Sequence, residues 1–204
     1  MGTDITKFSI AIFASGKGTN LVAIKEACDR GEIPGQVKLV ITDRRCDAAA
    51  YASKNSIPCY ILPLNNYVVR EDWDKSIIRI LDYHNIDLVC LAGFMRILGK
   101  EVLKNFNYGF RVLNIHPGIL PVLAGKDPQK RAIENKFKIT GNTVHIVTDI
   151  VDDATYTLST DSLEILESDT VETLCDKLKE KGYETYIKGI NKWIKEYGVK
   201  KSNG

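Results

Sequence analysis

Asn114 and His116 lie two residues apart in VLNIHPGILP, Val112 to Pro121, where an apolar strand-forming run stops at polar groups and Pro117 forbids its continuation. Side chains two apart in extended chain point to the same side, so this carboxamide and imidazole can converge on one small group. The plain structural alternative, a histidine satisfied by a backbone carbonyl, stands level with that reading because the pair sits at a strand's carboxyl end, where open α/β sheets bind ligands. Ser15-Gly16-Lys17-Gly18-Thr19-Asn20 precedes a helical pattern and lets bare backbone approach an anion at the positive end of a helix. It is not a Walker loop, since Ala11 replaces the first glycine and Gly18 follows the lysine. Nor is it a full dinucleotide fingerprint, because Leu21 replaces the third glycine. A tight turn with Thr19 as N-cap is its structural alternative. In TDIVDD, Asp149, Asp152 or Asp153 could hold or shuttle a proton, against a solvated acidic turn. His145 shares a face with Thr143 and Val147 and reads as structural; His84 reads as a helix cap.

The elements that must position these groups follow from periodicity. FSIAIFA, QVKLVIT, CYIL, LVCLAG and RVLNI are short, continuously apolar strands, alternating with helical patterns in LVAIKEACDR, DAAAYASKN and REDWDKSIIRILDYH. Such alternation predicts an open, doubly wound, mostly parallel α/β sheet covered on both faces. Beyond Pro128, GNTVHIVT and TYTLSTDSLEI alternate as half-exposed strands do and predict an antiparallel extension. One long helix closes the chain from about Thr170, capped by Asp169 or Thr170, with Gly182 as a point of interruption and kinking. The tail KKSNG is expected to fray. Without internal repeats or linkers, residues 1–204 read as a single domain.

Composition narrows the function. The 28 basic and 26 acidic side chains nearly cancel, which argues against a nucleic acid or an anionic membrane as partner and leaves small molecules bound locally. The five cysteines are odd in number and have no Cys-x-x-Cys pair, arguing against a disulfide framework or a zinc site and for a reducing, cytoplasmic setting. No segment approaches the ~20 apolar residues of a membrane helix.

Read together, SGKGTN, LAGFMRIL, LNIHPGILP and GNTVHIVTDIVDD are similar in order and spacing to the phosphoribosylglycinamide formyltransferases, a folate-dependent formyltransferase family with a Rossmann-like fold, over roughly Phe8 to Trp193. The resemblance implies transfer of the formyl group of 10-formyltetrahydrofolate to the amine of glycinamide ribonucleotide, in de novo purine synthesis. It implies neither a metal nor a covalent intermediate, and a monomer or homodimer. By the same resemblance Asn114, His116 and Asp152 match the catalytic residues, and Gly18, Thr19 and Asn20 the turn that holds the acceptor's phosphate. Met95, Arg96, Ile97 and Leu98 match the pterin pocket, whose main-chain groups do the hydrogen bonding. Arg70 matches an arginine near the folate tail, and Thr148, Asp149, Ile150 and Val151 match a folate-binding loop.

The chain departs from that pattern at Asp153-Ala154, in the Val122–Lys130 loop, which keeps only Gly125 of the usual residues, and at Gly182, where the family's last helix tends to offer a glutamate. These positions fall on the acceptor side. A formyltransferase for another amine, or a hydrolase that uses water, therefore stands beside the main reading, as does a folate binder without catalysis. A nucleotide-binding oxidoreductase, with Asp43 on a ribose hydroxyl, is the remote alternative.

Overall fold

The computed structural model describes residues 7–106 and 110–198. Along the chain lie β1 (Phe8–Ala14), α1 (Thr19–Asp29), β2 (Gly35–Thr42), α2 (Asp47–Lys54), β3 (Cys59–Ile61), a 3-10 turn at Leu64–Asn66, and α3 (Arg70–Tyr83). Then come β4 (Leu88–Leu91), α4 (Lys100–Asn105), β5 (Val112–His116), α5 (Pro128–Glu134), β6 (Ile139–Thr140), β7 (Thr143–Ile146), β8 (Thr157–Thr160), β9 (Leu163–Glu164) and α6 (Val171–Tyr197). Seven strands form one sheet in the order β3-β2-β1-β4-β5-β7-β8; the first five are parallel, and β7 and β8 join antiparallel. The expected doubly wound sheet with an antiparallel extension is therefore present.

Every residue of β1 and β4 is buried, because helices cover both faces. Ile10, Ile12, Leu88 and Leu113 pack under α1 and α6, where Tyr186, Ile190 and Trp193 lie, while Phe13, Leu39, Val89 and Val112 pack under α3 with Trp73, Ile77 and Leu81. Alternation along β5 thus puts Val112, Asn114 and His116 on the α3 side, and Leu113 and Ile115 on the α6 side. The Tyr186 hydroxyl donates to the carbonyls of Leu91 (2.9 Å) and Leu113 (3.2 Å), tying α6 to both central strands beside the site.

Several expectations are corrected. α6 runs unbroken through Gly182, which is buried rather than a kink: a Cβ there would meet Ile115 at 3.3 Å and Asn142 at 3.5 Å, so the small residue lets the helix approach β5. TYTLSTDSLEI is not one strand, since β9 leaves the main sheet to pair with β6. The break falls at Asp161, which accepts from the main chain and side chain of Asn142 (2.8 and 2.9 Å) and from Thr185. Thr170, not Asp169, caps α6, bonding reciprocally with Thr173; Asp169 instead pairs with Lys177 at 2.6 Å. Gly18, not Thr19, is the N-cap of α1, at φ +73°, and a Cβ there would lie 2.8 Å from that of Ala48. Helices α4 and α5 were not anticipated from periodicity. The KKSNG tail lies outside the described residues, and among those residues no helix is long and apolar enough to cross a membrane.

Candidate active site

The end of β5, the strand β7 and the loop after it bring four polar side chains together. Antiparallel register sets Asn114 opposite His145 and His116 opposite Thr143. Asn114 Nδ2 lies 3.3 Å from His145 Nε2, and His145 Nδ1 lies 3.1 Å from the Ile146 carbonyl. The Nδ1 hydrogen therefore goes to that carbonyl, and Nε2 accepts one hydrogen of the Asn114 amide. Burial lowers the His145 pKa, against the raising effects of the Ile146 carbonyl and Asp152, which keeps the ring in this neutral, accepting form. Asn114 is thereby oriented, and its second N–H has no partner among the described residues.

His116 is 5% exposed, with Nδ1 3.3 Å from Asp152 Oδ1 and Nε2 2.8 Å from the Leu123 carbonyl. Both ring nitrogens face oxygen, an arrangement a doubly protonated ring satisfies in full. The Leu123 carbonyl also accepts from Arg131 at 2.7 Å, so it keeps a partner if His116 turns toward a ligand. Asp152 stands at φ +54°, and its Oδ2 accepts from the Gly125 N–H at 2.8 Å. Burial raises the Asp152 pKa, but His116, the Gly125 N–H and His145 outweigh it, and the net shift is downward. Asp153 faces away, accepting from Thr155 (2.6 and 2.9 Å) and Thr148 (3.0 Å), so the extra charge is absorbed within its own loop.

Two clefts meet at Asn114. The larger, about 500 Å³, is lined by Arg70, Met95, Arg96, Ile97, Leu98, Thr148, Asp149, Ile150, Val151 and Asp152, together with Asn114 and His145. Every residue expected on the folate side is there. The smaller, about 340 Å³, holds Asn114 and His116 with Asn20, and its far wall comes from α5 and α6 through Gln129, Cys175, Lys179 and Gly182, with Asn142 beside them. Of the expected phosphate turn only Asn20 lines this cleft; Gly18 is turned against Ala48 and Thr19 is exposed to solvent.

A network of fixed charges holds the segment between the clefts. Met95 N–H donates to Ser15 Oγ at 2.8 Å, and Arg96 Nε to Asp43 at 2.8 Å. Arg70 bonds the Ile97 carbonyl, lies 3.2 Å from Asp74, and stacks its guanidinium 4.5 Å from the Trp73 ring centre. Two of the main-chain groups expected to meet the pterin are thus occupied internally, while those of Arg96 and Leu98 have no partner among the described residues. Asp43 is 3% exposed; burial works against its ionised form, but Arg44, Ser15 and Arg96 bring its pKa down to about 2. Bound to both arginines, it is not free for a ribose hydroxyl, which removes the basis of the oxidoreductase alternative.

His145, read from sequence as structural, turns out to orient Asn114. No local spacing could have signalled it, because the contact depends on strand register. The same holds for Gln129, Asn142, Cys175 and Lys179, which arrive from distant segments. Among the described residues no group of three or more His, Cys, Asp or Glu could hold a metal ion.

Comparison with known proteins places this arrangement in a family. The family described as formyl transferase matches residues 8–190. A phosphoribosylglycinamide formyltransferase of Mycobacterium tuberculosis is 38% identical over 170 residues, covering 83% of this chain and 77% of that one. A trifunctional purine biosynthetic protein adenosine-3 of Gallus gallus is 33% identical over 85% of this chain, which spans 17% of that longer protein. Among solved structures, the phosphoribosylglycinamide formyltransferase of Bacillus halodurans superposes with a TM-score of 0.86 at 33% identity, covering 92% of this chain and 96% of that one. The matched span carries every residue of the two clefts, and the chain belongs to the formyl transferase family.

Proposed function

We propose that this enzyme transfers the formyl group of 10-formyltetrahydrofolate to the amine of glycinamide ribonucleotide, a step of purine biosynthesis. The observation that carries the reading is the placement of Asn114 on the walls of both clefts, so that a one-carbon donor in the larger and an amine in the smaller would meet at its amide. The family of its relatives, phosphoribosylglycinamide formyltransferases by name, supports the same pair of substrates.

The reduced folate is a co-substrate that brings the formyl carbon on its N10. In the larger cleft the free main-chain groups of Arg96 and Leu98 would meet the pterin, with Ile97, Ile150 and Val151 against its apolar faces. Asn20 and the turn before it would meet the phosphate of the acceptor. When the amine attacks, negative charge develops on the formyl oxygen, and the second N–H of Asn114 and the His116 ring are the donors available to it. The carboxylate of Asp152, 3.3 Å from His116 Nδ1, supports a positively charged ring. The oxyanion then collapses and the bond from the formyl carbon to N10 breaks, and the proton lost by the attacking nitrogen must reach N10. Asp152 would relay it through a water. The cytoplasm suits this soluble chemistry and five free cysteines.

Incubation with 10-formyltetrahydrofolate and glycinamide ribonucleotide should release deformylated folate, read by absorbance, and formylated ribonucleotide in equal amounts. Release of formate at the same rate without the ribonucleotide would overturn transfer in favour of hydrolysis.

A further inference from the structure

Asn142 is 2% exposed and sits on the wall of the smaller cleft beside Gly182. Its Nδ2 donates to Asp161 Oδ2 at 2.9 Å and to the Leu178 carbonyl at 3.0 Å, so both amide hydrogens are used. Turning the carboxamide over would press its oxygen against a carboxylate and a carbonyl, which fixes the orientation. The remaining oxygen, Oδ1, accepts no hydrogen bond among the described residues. It is nevertheless not sealed off: the polar side-chain atoms buried without a partner are the hydroxyls of Thr42 and Thr140. Asn142 thus carries a fixed acceptor oxygen that is not fully buried, on the wall of a cleft that also contains Asn114 and His116. Gly182 packs beside the carboxamide: a Cβ there would lie 3.5 Å from the Cγ and Nδ2 of Asn142.

We infer that Asn142 is a specificity-determining residue, whose Oδ1 accepts a hydrogen bond from a hydroxyl on the sugar of the acceptor substrate. This rests on the functional reading above, in which a phosphate at Asn20 and an amine at Asn114 leave the sugar between them in this cleft. A hydroxyl that leaves water must find an acceptor or cost the full desolvation penalty. Among the described residues lining the cleft there is no Asp or Glu, so the sugar's donors meet neutral carboxamides, and of these Asn142 is already held in place. Preorganisation matters because the oxygen loses no rotamer freedom when the ligand binds.

The test crosses enzyme variants with acceptor analogues. Glycinamide ribonucleotide is compared with its 2′-deoxy and 3′-deoxy forms, with wild type and Asn142→Ala, measuring kcat/KM for the acceptor and, separately, KM for the folate. One hydrogen bond of this kind is worth about 3- to 10-fold. Wild type should lose that much with one of the two deoxy forms, and Asn142→Ala should lose it with the parent acceptor while handling the matching deoxy form as wild type does. Folate KM should not move. A purely structural role would instead depress all acceptors alike in the variant, and that result overturns the inference. If the variant fails to fold, wild type alone decides: equal kcat/KM for the parent and both deoxy forms rules the contact out. Absence of transfer to every acceptor, with the folate still bound, would instead strike the functional reading and remove the inference with it.

Discussion

Asp152→Asn separates catalysis from stability at one atom. Asparagine tolerates the positive φ of this position and keeps an oxygen for the Gly125 N–H, while an amide NH2 replaces the charged acceptor facing His116 Nδ1. The folding cost should be small, about 1 kcal/mol: the bond from Gly125 becomes neutral, and the amide NH2 can still meet His116 Nδ1 where the ring is neutral and donates from Nε2 to the Leu123 carbonyl. The catalytic cost should be much larger, because both the support of a charged His116 and the proton relay vanish. A loss of about 10²–10³ in kcat, or roughly 3–4 kcal/mol, is expected for such a group. The pH dependence supplies an internal check. The folded pKa of Asp152 lies below its unfolded value, so its stabilisation is fully present above pH ~4 and is lost as pH falls through the folded value. The stability gap between wild type and variant should thus be constant near neutrality and close under acid. The assays are initial rates of formyl transfer with urea denaturation of both proteins from pH 7 to pH 3. A variant kcat within threefold of wild type refutes the proton and charge role, and a gap that widens in acid refutes the assigned sign.

Three further perturbations address the supports of the site. Gly99→Ala would drive a Cβ into the buried Asp74 carboxylate that holds Arg70; it should cost about 2–3 kcal/mol in denaturant titrations and raise the folate KM. Tyr186→Phe removes the hydroxyl shared by the Leu91 and Leu113 carbonyls and should lower stability by about 1–2 kcal/mol, measured by the urea midpoint. His145 is buried with a lowered pKa, so the unfolded chain takes up its proton first; stability is full above about pH 6.5 and falls as pH drops. His145→Gln should flatten that decline below about pH 6.5, and an unchanged slope would show that another group causes it.

The central sheet was legible because β1, β4 and the start of β5 are buried on both faces and so read as unbroken apolar runs. The lining of the larger cleft was legible through the family resemblance, because the residues it matches come in two contiguous stretches, 95–98 and 148–152, plus Arg70. What local pattern does not contain is pairing between distant segments. Asn114 meets His145 only through the β5–β7 register, and the end of β8 is set by Asn142 and Thr185 closing on Asp161. Gly182 illustrates the same limit: helix propensity marks it as a weak point, whereas packing against Ile115 makes smallness the requirement. α5 is different, since Asp127-Pro128 is itself a local helix-start signal.

The strand end explains why one site can handle two substrates. Along β5 the side chains alternate, so Asn114 and His116 look toward the face covered by α3, while Ile115 looks toward α6. The larger cleft opens on the first face, bounded by Arg70 and the 95–98 segment, and the smaller reaches round the strand end to Ile115, Asn142 and Gly182. A parallel neighbour on both sides would have carried the sheet onward, but β7 joins β5 antiparallel, and the loop after it returns to set Asp152 against His116. The two faces therefore share only the residues at the rim. Changes behind the α3 face, at Gly99 or Arg70, should act on the folate alone, and changes behind α6, at Asn142, on the acceptor alone. Asn114 borders both clefts, as Phe94 and Met95 do, and carries the polar group among the three side chains, so its substitution should impair the use of both substrates.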